Sequence, residues 1–389
     1  MIEIKHKADC SGCHACYNAC PKNSIEMKAD EEGFLYPVVN KEGCIDCGLC
    51  EKACHIIDAF SRKEIKTEAY ACINNNEEIR MQSSSGGIFT LIAEKIIDRG
   101  GVVFGAAFDE GFNVRHIGIQ NKEDLALFRG SKYVQSTIGN SYKEAKKFLD
   151  DGRVVLFTGT PCQTDGLLKY LKKDYDNLYV QDIICHGAPS PKVWQKYLSF
   201  VKNKFPANFK EIYFRNKKFG WLKFSVLFKG EDGSEEIVPL TEDNYMKAFL
   251  RDLSLRPSCY ACHSKSYDRN SDITLADFWG IQKLDPSMHD DKGTSLCLVH
   301  TEKGRKLFSE IEADIRFKKV DLEDALKNNS PYYQSVQKPF NRRAFFKKVN
   351  ENSFDKVVEK YSKLSLLERC MRKAKRELRK RLGGNRNVK

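Results

Sequence analysis

The sequence predicts a mixed α/β (α+β) body preceded by a small cysteine-rich module and followed by a basic helical tail. Three observations carry this. Residues 10–20 and 44–54 repeat one cysteine spacing, which sets residues 1–62 apart as a module. From about residue 66 to 345, short runs rich in β-branched and aromatic residues alternate with helical patterns, dividing near residue 150 into an earlier and a later part. From 346 to 389, apolar residues recur at three- and four-residue steps in a basic background.

The module reads CSGCHACYNAC over residues 10–20 and CIDCGLCEKAC over 44–54, both C-x2-C-x2-C-x3-C at a constant offset of 34. A cubane of four irons and four sulfides needs four converging thiolates, and a tight loop presents three of them at intervals of three residues. Over residues 3–60 the chain closely resembles a bacterial-type two-cluster ferredoxin, in which the fourth thiolate comes from the other repeat. The resemblance implies one 4Fe–4S cluster on Cys10, Cys13, Cys16 and Cys54, and a second on Cys44, Cys47, Cys50 and Cys20. A zinc module is the alternative, since C-x2-C pairs also suit tetrahedral zinc. His55 stands where a second proline is usual and is expected as a surface side chain that modulates potential.

In the body, GGVVFGAAF (100–108), RVVLFTG (153–159), NLYVQDIIC (177–185), EIYFR (211–215), FSVLF (224–228), DITLADFWG (272–280) and SLCLVH (295–300) read as strands. Ile88, Leu91, Ile92 and Ile96 share one helical face, as do Leu167, Leu168 and Leu171. SSSGGIF (83–89) opens the first of these helices. Its glycines and free amides suit either an anion such as phosphate or ordinary capping. No G-x-G-x-x-G or Walker pattern is present, so a standard dinucleotide or P-loop fold finds no support.

Four more cysteines carry a pattern. Cys162 and Cys185 stand at the exits of two strands that are neighbours if the sheet is built from consecutive units, and Cys259 and Cys262 form CYAC. Together they can supply four thiolates for a third 4Fe–4S cluster or for zinc. Buried packing for Cys162 and Cys185, and a redox-active dithiol for CYAC, are the plainer readings. Cys72, Cys297 and Cys370 lack partners at ligand spacing and read as packing.

The ordered set SSSGGIF, GGVVFGAAFD, RGSKYVQS, FTGTPCQTDGL, DIICHGAPSP, CYACHSK and SDITLADFWG resembles the coenzyme F420 hydrogenase/dehydrogenase beta-subunit family over about residues 66–345. With the ferredoxin-like module in front, the arrangement is similar to the fused members of that family. The resemblance implies an oxidoreductase whose body is a flavoprotein binding FAD, passing electrons between a hydride carrier such as coenzyme F420 and the clusters. Plant and cyanobacterial relatives instead use ferredoxin electrons to reduce a tetrapyrrole. It implies that Cys162, Cys185, Cys259 and Cys262 hold the third cluster, and that Ser85, Gly86, Gly87, Lys132 and Tyr133 bind FAD. Asp277 and His186 are polar residues of motif loops, open to a flavin, a substrate or a structural hydrogen bond. A ferredoxin-dependent dithiol reductase and a non-catalytic electron-transfer accessory protein are the competing readings.

Of the net charge of +12, residues 355–389 supply +9, from 13 Lys or Arg against 4 Asp or Glu. In that tail Val357, Tyr361, Leu364, Leu367, Met371, Ala374, Leu378 and Leu382 form an apolar stripe, with Arg369, Arg372, Lys373, Arg376, Arg379 and Lys380 around it. The stripe suits an anionic membrane surface, an acidic partner such as ferredoxin or another oxidoreductase subunit, or the protein's own surface. Nucleic acid is not expected, because aromatic interleaving is missing apart from Tyr361. No apolar run approaches the roughly 20 residues of a membrane span. No signal-peptide pattern opens the chain, and fifteen cysteines, twelve of them grouped, suit a reducing compartment. The expected location is cytoplasmic, with peripheral contact at the inner membrane face if the tail binds lipid.

Overall fold

The computed structural model describes residues 1–61, 66–205 and 207–363. Its first strands, β1 (Ile25–Ala29) and β2 (Leu35–Val39), pair antiparallel between the two cysteine loops. Asp30 Oδ1 accepts the amides of Glu32 and Phe34 to close the turn. Gly33 lies there at φ +86, where an added Cβ would stand 2.4 Å from Lys192 Cβ. The hairpin tip is therefore pressed against the body.

The body is built on one eight-stranded sheet. Its strands in chain order are β3 (Glu68–Asn74), β4 (Val102–Phe108), β5 (Val114–Ile119), β6 (Val155–Gly159), β7 (Leu178–Ile183), then β11 (Ile273–Asp277), β12 (Ser295–Val299) and β13 (Ile315–Val320). Spatial order is β13-β3-β12-β11-β7-β6-β4-β5. Neighbours from β4 through β6 and β7 to β11 run parallel, and antiparallel strands flank them on both sides. A smaller antiparallel sheet contains β8 (Phe209–Asn216), β9 (Ser225–Gly230) and β10 (Glu235–Pro239).

Alternation along the parallel strands feeds two cores. Val103 and Leu156 pack with Ile88, Leu91, Ile92 and Ile96 of the helix Ile88–Asp98. Phe104, Val155 and Phe157 pack on the other face with Leu167 and Leu171 of the helix Pro161–Leu171. Both helices expected from periodicity thus meet the sheet through their apolar residues. A third core joins the small sheet to the helices Pro191–Lys202, Asn244–Leu250, Arg342–Glu351 and Phe354–Ser362.

All seven expected strands are present, as β4, β6, β7, β8, β9, β11 and β12. The chain division near residue 62 does not interrupt packing. Cys13, Ala15 and Ala53 lie in the core of Phe104 and Phe157, while Phe34 lies with Trp194 and Phe346. A buried ion pair adds to this contact: Arg342 Nη1 donates to Glu32 Oε1 at 2.8 Å, and the same guanidinium holds the Leu255 carbonyl.

Of the tail's apolar stripe, Val357 is buried and Tyr361 packs against the same third core, so the stripe begins on the protein's own surface. Leu364 to Leu382 and the six tail cations named above lie outside the described residues. Among the described residues, no helix is long and apolar enough to cross a membrane.

Candidate redox site

The cysteine loops of the module are shaped by left-handed backbone. Gly12 (φ +71) and His14 (φ +62) recur one repeat later as Asp46 (φ +48) and Gly48 (φ +69). Each pair turns the chain between successive cysteines, so that their thiols face one point. Cys10, Cys13, Cys16 and Cys54 line one cavity, and Cys20, Cys44, Cys47 and Cys50 line another. The crossed grouping is that of the sequence reading, one thiol in each set coming from the opposite repeat. Burial pushes the Cys13 thiol up to about 12 and also raises Cys16, whose second cause is the proximity of Cys13, Cys10 and Cys54. Thiols so placed ionise only beside a cation, which iron supplies. In the other set, the Ile2 and Ser24 amides donate to Cys50 Sγ and Cys20 Sγ at 3.3 Å, and Cys47 is exposed.

His55 differs from expectation: it is buried, not on the surface. Its Nε2 meets Ser11 Oγ at 2.9 Å, which ties the second repeat to the first, and burial lowers its pKa. A missing proline offered no hint of that contact.

The body gathers four more thiols at the C-terminal edge of its parallel strands, the usual ligand edge of such sheets. β6 ends at Gly159; Thr160 caps the next helix reciprocally with Gln163, Pro161 fills the first turn, and Cys162 follows. β7 runs beside β6 with Asp182 opposite Gly159, and delivers Cys185 three residues later. The loop carrying Cys259 and Cys262 is anchored to β7 by Arg269, whose Nη1 lies 3.5 Å from Asp182 Oδ2. Arg269 also donates to the Ser264 and Tyr332 carbonyls. The Ala188 amide donates to Cys259 Sγ at 3.3 Å.

These four thiols lie within charge–charge range of one another. Burial pushes Cys185 up to about 12 and Cys259 to about 11; it also raises Cys162, with Cys262, Cys185 and Cys259 adding to the rise. Lys265 and Arg269 act in the opposite sense on Cys185. All fourteen cysteines of the described residues are free. Cys72 and Cys297 are fully buried in the sheet core, where packing accounts for them.

The loop 83–87 is occupied by its own protein. Ser83 donates to the Ile79 carbonyl, Ser84 meets Ser131, and Ser85 donates to the Thr294 carbonyl. A Cβ on Gly86 would lie 2.4 Å from the Cys72 carbonyl oxygen, and one on Gly87 3.2 Å from Arg80 Cα. Close packing on β3 and β12 requires glycine there, whether or not a ligand is near. Lys217 Nζ fixes the same loop through the Arg80, Ser85 and Lys292 carbonyls, each at 2.7 Å.

Beside this loop lie buried donors in need of acceptors. The Lys132 amine, pushed down to about 7 by burial, faces the Phe108 ring and, among the described residues, hydrogen-bonds only the Arg129 and Gly130 carbonyls, at 3.3 and 3.4 Å. Arg215, which sequence reasoning placed in a strand and gave no role, pairs with Asp277 at 3.1 Å and Tyr133 Oη at 3.4 Å. Its Nε and Nη2 have no partner among the described residues. Asp277 also accepts from Trp221 Nε1 at 3.0 Å, so its hydrogen bonds are structural. Tyr133 stacks on Phe249 with centroids 4.7 Å apart, and Phe249 meets the ring of His186 at 5.1 Å, next to Cys185. His186 Nε2 pairs with Asp252 Oδ1 at 2.6 Å.

Two stretches of the chain match known families. Residues 152–325 match the family described as the C terminus of the coenzyme F420 hydrogenase/dehydrogenase beta subunit. Residues 9–56 match the 4Fe-4S dicluster domain. The ferredoxin-type protein NapF of Haemophilus influenzae is 33% identical over 54 residues, 14% of this chain and 30% of that protein. The chain thus spans less than a third of that curated relative. A chain in the xenon-derivatized F420-reducing NiFe hydrogenase complex from Methanosarcina barkeri is 17% identical, with a TM-score of 0.45 over 78% of this chain and 92% of its own. The two matched models describe a hydrogenase/dehydrogenase subunit and an iron–sulfur domain. Residues 152–325 are thus similar to the C-terminal region of the coenzyme F420 hydrogenase/dehydrogenase beta subunit, and they follow a stretch similar to a 4Fe–4S dicluster domain.

Proposed function

We propose that the chain is an iron–sulfur flavoenzyme that relays electrons between a small hydride carrier, of the coenzyme F420 kind, and a one-electron protein partner. The observation that carries the reading is the convergence of Cys162, Cys185, Cys259 and Cys262 from three loops beside the dicluster module. Four half-buried thiols, two nearby cations and an amide aimed at sulfur suit an anionic thiolate cluster. Among the described residues, no group of three or more His, Cys, Asp or Glu is placed to hold a single metal ion. Zinc would draw four sulfurs to about 2.3 Å from one centre. A cubane spreads them over four irons, the more open arrangement.

Arg215, with two unpaired guanidinium nitrogens, and Lys132, held only by long bonds to two carbonyls, offer donors beside Tyr133, which fits a flavin with its carbonyl and phosphate oxygens. Ser85, Gly86 and Gly87 form the wall beside them that Lys217 pins. When bound, a flavin takes a hydride as an electron pair and releases electrons singly. The chain's part is to hold that group on the Cys185 side, to which the Tyr133, Phe249 and His186 rings lead in turn, and to shut out water with the aromatic rings around Arg215. From there the thiol sets follow in order. Cys13 packs on the helix of Cys162 at Gly166, where an added Cβ would meet Cys13 Sγ at 2.9 Å. Cys54 and Cys50 are neighbours across the two module sets, and Cys47 reaches the surface. A ferredoxin or another oxidoreductase subunit is the partner this end suits.

Anaerobic purification with iron, sulfide and flavin assays tests the reading. About twelve irons and one flavin per chain are expected, with turnover by at least one of reduced coenzyme F420, NAD(P)H and reduced ferredoxin. About eight irons with no flavin would remove both the third centre and the enzyme it serves.

A further inference from the structure

Arg256 is fully buried, yet no carboxylate lies within ion-pair distance of it among the described residues. All its partners are neutral groups. Nε donates to the Cys10 carbonyl at 2.7 Å, Nη1 to Gln135 Oε1 at 3.0 Å, and Nη2 to the Leu35 carbonyl at 2.9 Å. Nη2 also points to Cys10 Sγ at 3.5 Å. The Tyr36 ring covers it at 4.2 Å. On the other side Gly12, at φ +71, comes so close that a Cβ there would stand 2.7 Å from Nη1.

Burying a guanidinium among neutral acceptors costs several kcal/mol, and native interiors meet that cost with a counter-charge. Here the protein supplies none. A cubane held by four thiolates carries net negative charge, and Cys10 is one of its four. We infer that the cluster of Cys10, Cys13, Cys16 and Cys54 is the counter-charge of Arg256, and that Arg256 raises its reduction potential. Burial in apolar surroundings disfavours the added electron; a fixed cation beside one ligand sulfur favours it. One electron enters this cluster from a neighbouring centre or an external one-electron donor, its charge becomes more negative by one, and no proton moves. Cys20, Cys44, Cys47 and Cys50 have no such cation bonded to sulfur among the described residues.

Arg256 also stands three residues before Cys259, whose amide donates to its carbonyl at 3.0 Å. One short loop therefore serves both the inner module site and the body site. Arg256 is a positioning residue for electron transfer, not a catalytic one. The inference rests on the cluster assigned to the Cys10 set and is independent of the flavin.

The test is a potentiometric titration followed by electron paramagnetic resonance on the anaerobic full-length protein, with iron and sulfide assayed in each sample. Wild type is compared with Arg256→Gln, Arg256→Lys and Gln135→Glu, and the inner signal is the one missing in Cys16→Ala. Gln135→Glu keeps the shape but gives the guanidinium a carboxylate of its own. In Arg256→Gln and Gln135→Glu, the reduced-to-oxidised ratio of the inner signal at the wild-type midpoint should fall at least about tenfold. Arg256→Lys should recover part of the shift, and the outer signal should not move. Loss of about four irons from both variants would also support the counter-charge. Full iron with an unmoved inner signal in Gln135→Glu overturns the inference, as does an equal shift of both signals. Absence of iron from the wild-type module would instead defeat the cluster assignment beneath it.

Discussion

The module and the body build their cysteine sites by opposite means. In the module, eight cysteines fall within 45 residues, and repeated left-handed turns aim them at close range. In the body, Cys162 and Cys262 are 100 residues apart and meet because β6 and β7 run parallel to one edge and Arg269 ties the 259–262 loop to β7 there. A local site is specified by spacing and backbone angle. An assembled site depends on strand order and on the buried groups that hold loops to strands.

That contrast can be broken at several points. The largest effect belongs to Cys162→Ala, which should lose about four of about twelve irons while the module keeps its share; iron assay with spectroscopy of the module signals measures this. Full iron retention would return Cys162 to packing.

Arg269→Met tests the assembled site without touching a ligand. It leaves Asp182 buried without its cation, and removing one partner of such a pair costs about 3–5 kcal/mol. Urea unfolding should show that loss, and iron should fall at the body site alone. Unaltered iron with lowered stability would mean that the 259–262 loop holds its place without Arg269.

Gly166→Ala probes the seam between the two kinds of site. The new methyl meets Cys13 Sγ and Tyr142 Oη at 2.9 and 3.0 Å, an overpacking that costs about 1–3 kcal/mol. Thermal melting should record it, and weakened spin coupling between the two nearest clusters should accompany it.

The smallest effect is one of pH. His116 bonds Ser136 and the Thr158 carbonyl of β6, and His300 bonds Thr274 of β11. Burial lowers their pKa values to about 4 and about 3. Folded values below the ordinary 6.5 mean that the stability from the neutral rings is complete above that pH and is lost as acid protonates the unfolded chain first. Between pH 6.5 and about 4, each His should cost up to about 1.4 kcal/mol per pH unit. Urea midpoints at about pH 7 and about pH 5.5 should differ accordingly, and His116→Gln should reduce the slope.

Legibility in the sequence followed the same contrast. The module's quartets could be assigned from spacing and the ferredoxin resemblance, and the neighbourhood of Cys162 and Cys185 from the rule that consecutive units pair. The strands that escaped had muted patterns. β3, EAYACIN, is buried along nearly its whole length but has only Tyr70 and Ile73 as large apolar residues, and β13, IRFKKV, presents an exposed basic face between its ends. Arg256 gave no signal at all, because its partners Cys10, Leu35 and Gln135 are 121 to 246 residues away. The SSSGG loop was open to two readings. Its amides and hydroxyls look alike in sequence whether they face a ligand or neighbouring strands, and only the positions of Cys72 and Ser295 show what fills the space beside Gly86.

The pair of Glu32 and Arg342 also bears on how the protein is made. Glu32 leaves the ribosome some 310 residues before the guanidinium it grips, and Phe34 before the rings that bury it. The nascent module therefore waits with its docking face bare while synthesis proceeds, since domains emerge from the N-terminus onward. Its inner cysteines are correspondingly accessible to cluster-loading machinery before the Arg342 helix docks, so that late repair of a damaged inner cluster requires Glu32 and Arg342 to part.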